Sequence, residues 1–72
     1  MNTIAVFRVR NDAIGVYKYL QKSRIACALV STPSSLKMGC GLSIVFSQTV
    51  VGRVSEAIQA VRANGFVGYF PR

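Results

Sequence analysis

Four short runs of β-branched and aromatic residues alternate with two stretches of helical periodicity in the order βαββαβ, and in a 72-residue chain that order leaves few folds. Thr3 to Val9, TIAVFRV, reads as the first strand. The helix predicted from Asp12 to about Ser23 carries Ala13, Val16, Tyr17 and Leu20 on one face. Asn11 stands where an N-cap is expected, and Asp12 suits the positive end of the helix dipole. Ile25 to Thr32 is a second β-type run, nearly all apolar, with Cys27 read as a small buried residue. Leu42 to Phe46, LSIVF, is a third. Ser47 then caps a helix predicted over Gln48 to Asn64, with Val51, Val54, Ala57, Ile58 and Val61 as its apolar stripe. Gly65 is the expected left-handed residue past that helix, and Phe66 to Phe70 is the last strand.

The pattern predicts a single α+β domain over residues 1–72: a ferredoxin-like βαββαβ plait, a four-stranded antiparallel sheet with two helices on one face. Right-handed crossovers give the strand order 4-1-3-2. The loop between the second and third strands then shares an end of the sheet with the start of the first helix. A chain this short buries only about 60% of its unfolded surface, so the whole length is expected to fold into one core.

That loop, Pro33 to Gly41, reads PSSLKMGCG. Nine residues is long for a connection in so small a domain, and long loops often carry function. Gly39 and Gly41 bracket Cys40, which removes shielding side chains from beside the thiol. The topology predicts Cys40 near Asn11, Asp12 and the first amides of the helix, with Arg8 or Arg10 and Lys37 within approach. A helix N-terminus and nearby cations favour thiolate over thiol, whereas Asp12 opposes it.

Nine basic residues against two acidic ones give a formal charge of +7, which favours an anionic partner. The cations are scattered as singlets, so nucleic acid is disfavoured. The central strands would offer a base-stacking platform only Phe7 and Phe46. With two cysteines and no histidine, a structural zinc site cannot be built from one chain and no Cys-His or Ser-His catalytic pair exists. No metal, cofactor or membrane span is expected. The absence of a secretory pattern at the start leads to the expectation of a cytoplasmic protein with reduced thiols.

With the loop and the element order in hand, the chain resembles the small family of selenium/sulfur carrier-like proteins. These are one-domain bacterial chains in which a strand ending in an aromatic precedes a helix, and an extended segment ends in a proline seven residues before a Cys-Gly-Leu. The matching residues are Phe7, Ala13, Ile25, Pro33, Gly39, Cys40, Gly41, Leu42 and Gly65. The resemblance implies a sulfur or selenium atom held on Cys40 as a persulfide or selenopersulfide, with donor and acceptor proteins as partners. Members often carry an arginine after the proline, where this chain has Ser34, and a serine or threonine where it has Lys37. Many also have Ser or Thr before the first helix, here replaced by Arg10 and Asn11. Lys37 and Arg10 are then the candidates to steady the chalcogen.

The expected function is a thiol carrier that passes its cargo by exchange. The chain shows neither a general base nor a cofactor motif, so it is not read as an enzyme. The alternative is a small oligomeric interaction or regulatory module without chemistry. Both alternating residue sets of the first and last strands are apolar, so the sheet's open face is expected to expose an apolar patch and to drive homo-oligomer formation.

Overall fold

The computed structural model describes residues 1–36 and 41–72. Its elements are β1 (Thr3–Phe7), α1 (Arg10–Lys22), β2 (Cys27–Ser31), β3 (Leu42–Phe46), α2 (Val51–Ala60) and β4 (Phe66–Pro71). Short 3-10 turns stand at Ser34–Leu36 and Gln48–Val50. The four strands form one antiparallel sheet in the order β2-β3-β1-β4, which is the expected plait.

Both central strands bury both faces. Ala5, Phe7, Ile44 and Phe46 pack with Ala13, Val16 and Leu20 of α1 and Val54 and Ala57 of α2. The other face differs from the exposed patch read from the sequence: Ile4, Val6 and Val45 are at most 2% exposed. Ala28 and Val30 flank them from β2, Val67 and Phe70 from β4, and Leu36 packs against them from the 3-10 turn after β2. Among the described residues the exposed large apolar side chains are Met1 and Val9. The accessible area is 4424 Å², against about 4,400 Å² for a compact monomer of this mass. The homo-oligomer expected from an open apolar face therefore loses its premise.

β4 departs from simple alternation. Val6 pairs with Gly68 and Phe7 with Phe66, so Val67 is an extra residue in the ladder, a β-bulge. The bulge brings Phe66 and Tyr69 to the same, helix-covered face, 4.8 Å apart between ring centroids. Strict alternation had put them on opposite faces. Phe66 meets Phe7 at 5.6 Å and Tyr69 meets Phe46 edge-on at 5.9 Å, distances at which aromatic pairs contribute about 0.5–1.5 kcal/mol each.

The helix ends also differ. α1 begins at Arg10, with Val9 as an extended N-cap and no side-chain cap, so Asn11 is not the cap. The Val9 carbonyl takes the Asp12 and Ala13 amides at 3.1 and 3.4 Å. This earlier start places Asp12 in the first turn, where its Oδ2 accepts from the Gly65 amide at 2.8 Å. Ser47 does cap its element, accepting from the Thr49 amide, but the α-helical part ends at Ala60 instead of Asn64. Both helices close with a 6→1 amide bond, Ile25 to the Leu20 carbonyl and Ala63 to the Ile58 carbonyl, each 3.0 Å. The left-handed residues are Arg24 (φ 58°) and Arg62 (φ 54°), not Gly65. Gly65 is required for space instead: a Cβ there would lie 2.8 Å from Asp12 Oδ2 and 2.9 Å from Val9 Cγ2.

Candidate functional site

The ladder fixes which end of the sheet the Pro33–Gly41 loop leaves and rejoins. Val6 pairs with Ser43 across β1 and β3, and Ser31 pairs with Leu42 across β2 and β3. Both ends of the loop therefore stand at the C-terminal end of β1, beside the start of α1. This is the juxtaposition expected from the topology.

Two contacts close the base of the loop. The Thr32 amide donates to the Gly41 carbonyl at 2.8 Å, and the Thr32 and Ser43 hydroxyls share a hydrogen bond of 2.6 Å. Ser43 is fully buried on the open face of the sheet, and this bond supplies the partner that a buried hydroxyl requires. Neither residue was singled out from the sequence; a serine inside an otherwise apolar strand, LSIVF, was the available signal. Gly41 takes φ +90°, a conformation that L side chains rarely adopt, and nothing stands within 4 Å of a Cβ built on it. Its glycine is required by backbone conformation, as expected next to the thiol.

Lys37, Gly39 and Cys40 lie outside the described residues. Arg10 and Asn11 are exposed at the first two positions of α1, and Arg8 is exposed just before it. The amides of such first positions have no intrahelical acceptor, and among the described residues no side-chain cap is made to them. The Asp12 carboxylate, the one group expected to oppose a thiolate here, is engaged by Gly65.

The second cysteine behaves differently. Cys27 is a free, half-buried thiol in β2 packed against the helix-covered core. Burial pushes its pKa up, which disfavours the thiolate.

Phe7 and Phe46 are fully buried beneath the helices and present no ring to a nucleobase. Every described basic residue is exposed. Among the described residues there is no cluster of three or more Cys, Asp or Glu suited to a metal ion, and no helix long and apolar enough to cross a membrane.

The model of the family described as "Putative Se/S carrier protein-like" matches residues 2–64, and the chain belongs to that family. The matched span covers β1 through α2 with the whole loop and stops before β4. No curated protein and no solved structure matches the chain.

Proposed function

We propose that the chain is a sulfur or selenium carrier that holds its cargo on Cys40 and passes it to an acceptor protein by thiol exchange. The observation that carries the reading is the strand register. It brings both ends of the Cys40 loop to the start of α1, in a chain that belongs to a carrier-like family. The first-turn amides of Arg10 and Asn11 and the cations of Arg8 and Arg10 supply positive potential at that end of the sheet, which favours a thiolate. Cys27 is unsuited to the role, because burial holds it as the thiol.

In the transfer step the Cys40 thiolate attacks the terminal sulfur of a donor's persulfide. A new S–S bond forms on Cys40, the donor's S–S bond breaks, and the donor leaves as its thiolate. The moved sulfur keeps its oxidation state, so no external oxidant or reductant enters. A donor selenopersulfide would pass selenium in the same way. Release repeats the exchange with an acceptor thiolate. Proton traffic and turnover belong to the donor and acceptor enzymes, so the chain itself acts as a carrier and not as a catalyst.

The test is the alkylation rate of Cys40 against pH, with Cys27 followed in the same protein by mass spectrometry, and then brief exposure to inorganic polysulfide. Cys40 is expected to react with a midpoint below about 8.5 and to gain one sulfur. A Cys40 as slow as Cys27, or a sulfur gained equally on both, removes the carrier reading.

A further inference from the structure

The two hydroxyls that meet at the base of the Pro33–Gly41 loop have unequal surroundings. Ser43 is fully buried on β3, while Thr32, just past β2, is half-buried. Their oxygens lie 2.6 Å apart, and among the described residues neither hydroxyl has another partner. Each hydroxyl carries one proton, and a proton buried without an acceptor costs more than one that can turn to water. Were Thr32 the donor, the Ser43 proton would be sealed in the sheet with nothing to receive it. Ser43 therefore donates to Thr32 Oγ1, and the Thr32 proton is left unspent at the more open position. A hydroxyl that already accepts a hydrogen bond is polarised into a better donor for the next.

The backbone fixes where that proton stands. The Thr32 amide donates to the Gly41 carbonyl at 2.8 Å, and Gly41 follows Cys40 by one peptide bond. Arg8 and Arg10 at this end of the sheet are exposed, so water screens their charge, and the Asp12 carboxylate is bound by the Gly65 amide. A hydroxyl acts by contact instead, and a hydrogen bond made to an anion favours the anion over its protonated form.

We propose that the Thr32 hydroxyl, its proton freed by Ser43, is the hydrogen-bond donor to the anionic sulfur on Cys40, both as the thiolate and as the terminal atom of the persulfide. The inference rests on the carrier reading for its cargo and adds to it an uncharged group that stabilises the sulfur.

The test compares the parent chain with Ser43→Ala, with Thr32→Val/Ser43→Ala and with Thr32→Ser/Ser43→Ala. Ser43→Ala removes the buried partner and keeps the Thr32 proton. The valine double variant removes both hydroxyls, so no buried donor is stranded and the fold is kept. Cys40 alkylation is followed against pH, with Cys27 alkylation and the thermal midpoint as controls for folding. The Cys40 midpoint is expected to stay near the parent's in Ser43→Ala, to rise by about one pH unit in the valine double variant, and to return in the Thr32→Ser/Ser43→Ala chain. Arg8, Arg10 and Asp12 at this end, and Lys37 of the loop, are the same in every chain, so the shift reads the hydroxyl. Equal shifts in Ser43→Ala and the valine double variant would reduce the pair to a clasp that shapes the loop, and an unshifted double variant would remove Thr32 from the site; either overturns the assignment. Sulfur uptake from inorganic polysulfide is scored separately by mass. A parent chain that gains no sulfur on Cys40 while the midpoint shift persists overturns the carrier reading and leaves the Thr32 donor standing.

Discussion

The Gly65 amide donates to Oδ2 of Asp12 over 2.8 Å, joining the residue before β4 to the first turn of α1. The same oxygen lies 2.8 Å from where a Gly65 Cβ would stand, so bond and close packing exclude a side chain there. Gly65→Ala is expected to destabilise the fold by about 1–3 kcal/mol through overpacking. Asp12→Ala, which removes a charge-assisted bond, should cost about 1.5–3 kcal/mol. Because the two share one contact, the double variant should lose less than the sum in chemical denaturation. Additive losses would mean that the contact does not couple them.

Arg24 and Arg62 hold left-handed conformations at the C-terminal closures of α1 and α2, where glycine is the usual residue. Left-handed backbone costs an L-residue roughly 1–2 kcal/mol, partly offset by the greater unfolded freedom of glycine. Arg24→Gly and Arg62→Gly are each expected to raise stability by about 0.5–1 kcal/mol. Thermal unfolding of the two single variants checks this; a fall in midpoint would show that the arginine side chains contribute more than their backbones cost.

What the sequence made legible was whatever depends on local periodicity. Leu42–Phe46 occupies the span read from LSIVF, and Ala13, Val16 and Leu20 are buried as their spacing implies. Strand order followed from handedness alone. The bulge at Val67 was not legible, because alternation contains no information on a tertiary demand that Phe66 and Tyr69 share one face. Helix ends at Arg24 and Arg62 escaped a rule that looks for glycine. The open face was misjudged because a count of apolar residues cannot show that Leu36, two flanking strands and the bulge bring cover to Ile4 and Val6. At the site, the end of the sheet that the loop leaves and rejoins was readable from topology, while Cys40 itself lies outside the described residues. The Thr32–Ser43 bond was not, since it joins residues eleven apart across a strand pair.

Deleting Val67 tests the bulge. Without the extra residue, Phe66, Gly68, Tyr69 and Phe70 alternate regularly opposite β1, so Phe66 stays on the helix-covered face and only the Val67 packing on the other face is lost. Deletion is expected to cost about 1–2 kcal/mol, with the Phe66 contacts to Phe7 and Tyr69 kept and unfolding still cooperative. Val67→Ala keeps the bulge and should cost about 1 kcal/mol. A loss of about 3 kcal/mol or more on deletion alone, with broadened unfolding, would show that the bulge itself holds the β4 register.

Alkaline pH gives a test of burial. Cys27 is raised by burial, and so is Tyr69, for which the hydrogen-bonded Ser55 hydroxyl works the other way. Both are acids that the fold prefers neutral, so their folded pKa values stand above the unfolded ones, about 8.5 for cysteine and 10 for tyrosine. Below those unfolded values the stabilisation is complete; it is lost as pH rises through the folded values, because the unfolded chain releases its protons first. Stability is therefore expected to be level for these groups near neutrality, to fall above about pH 8.5, and to fall further above about pH 10. Cys27→Ala should remove the first decline and Tyr69→Phe the second, as read from denaturation midpoints across the series. If Cys27→Ala leaves the first decline in place, another group carries it. The contrast between a held Cys27 and a reactive Cys40 would then have to rest on the alkylation rates alone.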